Sequence, residues 1–305
     1  MKNVLYYYYH FSNTKIYKEQ ELYKFSIDNI NYVFFPFYGN YEDASNIYYL
    51  SNNLLDNRFH KIILNINKQI LTKVDNKFYI MLKINNNSSE KVNLAMLKDF
   101  IYINRNKYIE KLIRLDWPLL WGKKIDYFEY QLNHLEDKYP LIAYTINYYI
   151  GMGENAISYI NDTLIDKSNY QTVELVIAHR RISYNYKIKD YYNPLNLVID
   201  YKTRDISEYL KSLFIEDKYD LKNIEEFIIK LNFNKFYYQL LFGKLLYPSF
   251  YFDLYEQIVD LKAKEKDLIK IIARSREYTY FLRDVYNIIN KKVLLIKLIG
   301  YKKRS

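Results

Sequence analysis

The sequence predicts an α+β protein in which a small β-containing part precedes a larger, mainly helical part. Three observations predict it. Short apolar runs near the start are separated by turns rich in Asp and Asn, the pattern of β-hairpins. A polar break, Asn85-Asn86-Asn87-Ser88-Ser89, closes that region. Beyond the break, apolar residues recur mostly at helical spacing.

Residues 1–89 are the expected small lobe. Runs 22–27 and 32–37 flank Asp28-Asn29-Ile30-Asn31, and runs 69–74 and 78–84 flank Asp75-Asn76-Lys77, so two hairpins are predicted. Residues 41–55, between them, read as a helix. Residues 90–305 are the expected helical lobe. Stretches 91–102 and 105–115 read as helices, and Asp116 is a candidate N-cap with Pro118 in the first turn. Stretches 141–150 and 155–164 read as two more helices, broken at Gly151-Met152-Gly153. Within the central stretch 172–200 the spacing changes. Two short Val- and Ile-rich runs, 173–178 and 195–199, suit buried strands and end at His179 and Asp200. The intervening 186–192 is basic and tyrosine-rich, and reads as a surface loop available to a partner. Asp205-Ile206-Ser207-Glu208 has the form of a helix-capping box, with Asp205 as N-cap. Helices are expected over 221–231, 236–247, 249–261, 266–273 and 277–290, packed as a bundle. The basic, apolar end 291–304 reads as a docked last helix.

Composition sets limits. The 305 residues include 38 Tyr but only 6 Gly, 5 Pro and no Cys. Without Cys there are no disulfides, thiol nucleophiles or thiolate metal sites. The abundance of Tyr, Asn, Lys and Ile reads as coding bias rather than function. The start lacks a signal-peptide pattern and no stretch is apolar enough to span a membrane, so a soluble, cytoplasmic protein is expected. The net charge of +10 suits an acidic partner, but the basic residues are dispersed, and a nucleic-acid role is not favoured. The four His residues, at 10, 60, 134 and 179, lie far apart, so no His-based metal motif is present. No Gly-x-Ser-x-Gly elbow supplies a hydrolase nucleophile.

The order of strand, polar loop, strand, aspartate and helix resembles the centre of the protein-kinase-like fold in its aminoglycoside-phosphotransferase branch. It resembles still more the spore-coat-associated kinase-like proteins of endospore-forming bacteria. The residues that carry the resemblance are His179-Arg180-Arg181-Ile182, Ile199-Asp200 with Arg204-Asp205, and the stretch from Leu245 to Asp253. The stretches 117–129 and 148–160 are similar too. The resemblance implies a two-lobe fold with ATP and Mg²⁺ as the cofactors of a working member. It implies Asp200 as the metal ligand, Asn185 or Asn196 near the place of a second metal-binding residue, and His179 beside the ligand. Asn185 falls one residue short of that place, and Asn196 lies on the far side of the 186–192 insert. A phosphate-pairing Lys is expected on the third strand of the small lobe, and Lys83 is the candidate, ahead of Lys73.

The pattern departs from the family at two places. The catalytic Asp should fall at 181, where this chain has Arg181, and a guanidinium does not accept a proton. A Gly-rich loop in the small lobe is missing, since Gly39 is the only Gly before position 122. The leading expectation is therefore a degenerate, non-catalytic binding or scaffold member, cytoplasmic or spore-associated, with a protein partner in coat or envelope assembly. An active phosphotransferase would need an unusual base, Asp190 or Asp205. A nucleotide sensor would bind ATP without turnover. A further pattern, Gly151-x-Gly153-x-x-Ala156 with Glu174 beyond it, has the form of a dinucleotide fingerprint.

Overall fold

The computed structural model describes residues 1–12, 15–104, 109–135, 137–166 and 173–293. In chain order its helices and strands are α1 (Lys2–Tyr9), β1 (Tyr17–Glu19), β2 (Leu22–Ile27), β3 (Ile30–Phe37), α2 (Tyr41–Tyr49), β4 (Lys61–Ile63), β5 (Thr72–Val74) and β6 (Lys77–Ile84). There follow α3 (Leu94–Ile103), α4 (Trp117–Leu135), α5 (Pro140–Ile165), β7 (Leu175–His179), α6 (Ile188–Tyr191), β8 (Leu197–Tyr201) and α7 (Arg204–Ile215). The chain ends in α8 (Leu221–Leu231), α9 (Lys235–Leu246), α10 (Ser249–Val259), α11 (Leu268–Ala273) and α12 (Ser275–Asn290). These fall into two compact units. One holds Met1–Val92, Asn106–Ile113 and Asn185–Ile199, and the other holds Asn93–Arg105, Arg114–Tyr184 and Asp200–Ser305.

The first unit is an antiparallel sheet in the order β1-β2-β3-β6-β4, with β5 also paired to β6. Both predicted hairpins form. Their turns place Asp28 and Asn29 at φ 48° and 63°, and Asp75 and Asn76 at 47° and 63°. Asp and Asn tolerate this left-handed region better than other side-chain-bearing residues, which is why a two-residue turn can use them. Leu5 and Tyr9 of α1 bury against Phe25, Phe34, Tyr79 and Met81 on the sheet. α2 opens on a capping box between Asn40 and Asp43, then runs into a π-helical turn over Leu50–Leu54. There the Asn52 side chain bonds both the N–H and the carbonyl of Ile62, so the edge strand β4 has a side-chain partner.

The stretch 186–192 is not a solvated loop. Val92 donates to the Tyr186 carbonyl and Ile188 to that of Glu90. Tyr191 is 1% exposed, and Tyr192 packs edge-on against Phe59. Tyrosine has enough apolar ring to serve as core once its hydroxyl end is accommodated. Of the helix expected over 105–115, Glu110–Leu112 forms a single 3₁₀ turn and Ile113 bridges Ile199; 105–108 lie outside the described residues. The helix expected over 291–304 falls mostly outside them too.

Among the described residues the second unit is helical apart from β7 and the end of β8. The break expected at Gly151-Met152-Gly153 is absent, because α5 runs unbroken from Pro140 to Ile165. A methyl group on Gly153 would lie 2.8 Å from Ile125 Cδ1 on α4. Gly153 therefore serves close helix packing rather than helix termination. The same continuity removes the dinucleotide reading, since backbone N–H groups inside a helix are already bonded and cannot cradle a pyrophosphate.

Helix α9 is the axis of this unit, and Phe236 through Leu246 are buried all round it. It approaches α5 at Gly243, where a methyl group would overlap Ile160, with Cγ1 at 2.8 Å, and press on Tyr159 Cδ1 at 3.1 Å. Gly243→Ala is expected to destabilise the protein by up to about 2 kcal/mol, because overpacking costs about 1–3 kcal/mol against a ~1 kcal/mol helix gain of alanine over glycine. Urea unfolding checks this, and an unchanged or higher midpoint would count against the tight α5–α9 contact.

Candidate functional site

The second unit gathers His179 from the end of β7, Asp200 near the end of β8, and Arg204 and Asp205 from the first turn of α7. The expected cap does not form. Thr203 precedes the helix without a side-chain bond, and the Asp205 carboxylate turns to His179 instead. Its Oδ1 accepts the His179 backbone N–H at 2.8 Å, and its Oδ2 meets the ring Nδ1 at 2.6 Å. An ionised carboxylate only accepts, so Nδ1 carries the proton. Phe100 packs on the imidazole, with ring centroids 4.9 Å apart. His179 is therefore held by a carboxylate at both its backbone and its ring.

Asp200 is 0% exposed. Its Oδ2 accepts from Arg204 Nη1 at 2.5 Å and from the indole N–H of Trp117 at 3.0 Å. Its Oδ1 accepts from the Tyr201 N–H at 2.6 Å. Arg204 has further partners. Its Nε donates to the His179 carbonyl at 2.8 Å and its Nη2 to the Arg180 carbonyl at 3.1 Å. One guanidinium therefore ties the aspartate to the loop after β7.

A second layer of charge lies beneath. Lys244 of α9 is 4% exposed, and its ammonium sits 3.4 Å from the centroid of the Trp117 ring. Burial pulls it down to about 7, against the opposing pull of Asp200. Burial raises the Asp200 carboxyl above its ordinary value, an effect that Lys244 and Arg204 oppose. Glu208 behaves oppositely. Burial would raise it, but Lys211 and Lys244 outweigh that and hold it at about 2. Lys211 is fixed by Glu208, the Ser249 hydroxyl and the Tyr247 carbonyl.

The other residues singled out in the sequence lie elsewhere. Arg181, at the expected base position, has a side chain 64% exposed and pairs with Asp253 of α10 at 2.9 Å. Asp253 also lies 3.9 Å from Lys124 of α4. In the first unit, Asn185 accepts from Lys91 at 2.7 Å and Asn196 donates to the Tyr186 hydroxyl at 2.9 Å. Lys83 lies on β6, opposite Tyr32 and Lys61, and Lys73 on β5. The third strand of the sheet in chain order is β3, whose residues INYVFFPF contain no lysine. The first two strands are joined by Gln20-Glu21 alone, with Gln20 at φ 54°. A two-residue turn without glycine forms no phosphate-wrapping loop.

Sequence reasoning missed Lys244 and the indole N–H of Trp117. A signal for the first was present. Leu-Leu-Phe-Gly-Lys-Leu-Leu sets a lone cation in an apolar run with no polar face to receive it. Trp117 is buried, and its N–H joins the Asp200 site.

The antiparallel sheet unit and the larger helical unit make this a two-lobe α+β fold of the protein-kinase-like class. It is similar to an aminoglycoside phosphotransferase from Alicyclobacillus acidocaldarius, with a TM-score of 0.64 at 9% identity, covering 91% of this chain and 92% of that one. It is also similar to the spectinomycin phosphotransferase APH(9)-Ia, solved with ADP and spectinomycin, with a TM-score of 0.56 at 10% identity over 94% and 97% of the two chains. The chain belongs to the family described as "Spore coat putative kinase YutH", whose model it matches over residues 2–285. Over 194 residues it is 26% identical to the endospore coat-associated protein YutH of Bacillus subtilis (strain 168). That match covers 58% of this chain and 57% of the relative, so it spans a little over half the length of either. No helix among the described residues is long and apolar enough to cross a membrane.

Proposed function

We propose that this chain is a kinase-like protein of the spore coat that holds a protein partner and does not transfer phosphate. The observation that carries the reading is the engagement of Asp200. In a phosphotransferase of this fold that carboxylate would hold Mg²⁺ and the metal would bridge nucleotide phosphates. Here it is buried under Arg204, Trp117 and the Tyr201 N–H, with a guanidinium already neutralising it. The residues present therefore do not fit the metal.

Three further features agree with this reading. Arg181 replaces the base, β3 lacks a lysine, and the β1–β2 turn lacks length and glycine. The coat setting is supported by the family's description and by the name of the Bacillus subtilis relative, and a coat or envelope protein is the partner proposed with it.

Thermal-shift titration with ATP and Mg²⁺ tests the proposal. The melting temperature is expected to stay within about 1 °C up to millimolar nucleotide, because a ligand stabilises only in proportion to its binding. A rise of several degrees that Asp200→Ala abolishes would overturn it. Phosphate-release and transfer assays would then decide between a nucleotide sensor and a kinase.

A further inference from the structure

We infer that the groove between α4 and α5 docks a partner-protein segment that sets a lysine or arginine beside apolar residues. The inference rests on the reading that the chain holds a protein partner, and it adds where the partner sits and what it presents.

The groove is a cleft of about 390 Å³, lined by Gly122, Ile125 and Asp126 of α4 and by Glu154, Ile157 and Asn161 of α5. Ile125 is buried and Ile157 half-buried, so the floor is apolar. Asp126 and Glu154 are exposed at the rim, one on each helix. Neither makes an ion pair among the described residues. Lys124, close by on α4, is engaged with Asp253 and Glu256 instead. Two uncompensated carboxylates over an apolar floor suit a long apolar stem with a cationic head, which is the build of lysine and arginine. On a chain of net charge +10 this groove is a local reversal of sign. It therefore selects a basic segment, whereas the composition as a whole suits an acidic one.

Gly122 adds an independent argument. Glycine inside a helix costs stability. At Gly153 and Gly243 close packing against Ile125 and Ile160 explains it. At Gly122 a methyl group would meet nothing within 4 Å, so the missing side chain serves no contact inside the chain. What it leaves is depth in the cleft. The short connection from Leu135 to Pro140 makes α4 and α5 antiparallel neighbours, so the start of α4 lies beside the end of α5. There the same helix faces carry exposed apolar residues. Leu119, one turn before Gly122, is 58% exposed, and Ile165, one turn after Asn161, is 73% exposed. A basic residue between Asp126 and Glu154, with apolar residues towards Leu119 and Ile165, is the pattern this surface fits.

The probe is a phage-displayed library of random peptides, selected on the whole chain and counter-selected on Gly122→Arg, which fills the cleft and adds a cation of its own. Enriched peptides are expected to carry Lys or Arg next to apolar residues. They should bind Gly122→Leu at least about tenfold more weakly than wild type. Gly151→Leu also enters open space, but outside the cleft, and should bind as wild type does. Asp126→Lys combined with Glu154→Lys should weaken binding by about a hundredfold. A peptide with its basic residue changed to Glu should bind that double variant and not wild type. Gly122→Leu should melt no lower than wild type; if it does melt lower, the charge-reversed pair decides. The inference is overturned if no peptide is enriched, if the enriched peptides lack a basic residue, or if charge reversal leaves binding unchanged. It is equally overturned if wild type self-associates and Gly122→Arg makes it monomeric, since a second copy then fills the groove. Failure of the preceding proposal looks different: wild type would then respond to ATP and Mg²⁺.

Discussion

Lys244→Met is expected to stabilise the protein by about 4 kcal/mol at pH 6 and by about half as much at pH 9. The reason is linkage. In the unfolded chain this lysine keeps its proton up to its ordinary value of 10.5, whereas in the folded protein burial brings it down to about 7. Between those values the unfolded state binds the extra proton, so raising the pH favours folding. Below about pH 7 both states are protonated and the whole penalty for burying the ammonium is present. The groups that face Lys244 are Trp117 on α4, Asp200 on β8, and Arg204, Glu208 and Lys211 on α7. Their cations and carboxylates oppose one another and do not relieve the burial. Methionine fills a similar volume, packs well against an indole and carries no charge. Asp200 and Glu208 keep Arg204 and Lys211 as ion-pair partners, so the substitution removes the buried ammonium without orphaning either carboxylate. Denaturant unfolding at pH 6 and pH 9 makes the comparison. A gain equal at the two values, or a loss at pH 6, would show that the ammonium is not buried at this cost. Stability of the wild type should itself climb from about pH 7 towards 10.5, and Lys244→Met should lack that climb.

Much of this architecture can be read from the sequence wherever a local rule decides the outcome. Asp28-Asn29 and Asp75-Asn76 announce their hairpins because a two-residue turn demands positive φ and few residues tolerate it. The runs ending at His179 and Asp200 announce strands because they are short and β-branched. Where two rules share a residue type, the sequence is ambiguous. Gly153 satisfies both a helix break and a close helix contact, and only the presence of Ile125 opposite selects the second. Asp205 has the chemistry of a cap and of a histidine partner. Tertiary contact decides for His179, 26 positions earlier in the chain. Lys83, the candidate phosphate-pairing lysine, lies on β6. The pairing of β6 between β3 and β4 is set by long-range register, which no local pattern encodes. That position 181 carries an arginine is visible in one letter. The closure of Asp200 under Arg204 is not, because it depends on which of several arginines reaches it.

Asp205→Ala is expected to cost about 3–5 kcal/mol, the range for removing one partner of a buried, hydrogen-bonded pair. Two donors lose their acceptor at once: the His179 backbone N–H and its ring Nδ1–H. His179 is 1% exposed and Asp205 is 3% exposed, so water does not readily replace the carboxylate. Asp205→Asn should lose less. Its amide oxygen still accepts the backbone N–H, and a change of imidazole tautomer lets the ring nitrogen accept from the amide. Glu154→Ala, which removes an exposed carboxylate on α5, should stay within about 0.5 kcal/mol and serves as the control. Urea unfolding of the three variants gives the ordering. An Asp205→Ala loss below about 1 kcal/mol would mean that the β7–α7 contact is not set by this pair. The predicted order, with alanine far worse than asparagine, separates a hydrogen-bonding role from a purely electrostatic one. An electrostatic role would make the two neutral substitutions nearly equal. The structure favours hydrogen bonding because both carboxylate oxygens are spent on one histidine, and that histidine holds the loop whose next residues are Arg180 and Arg181.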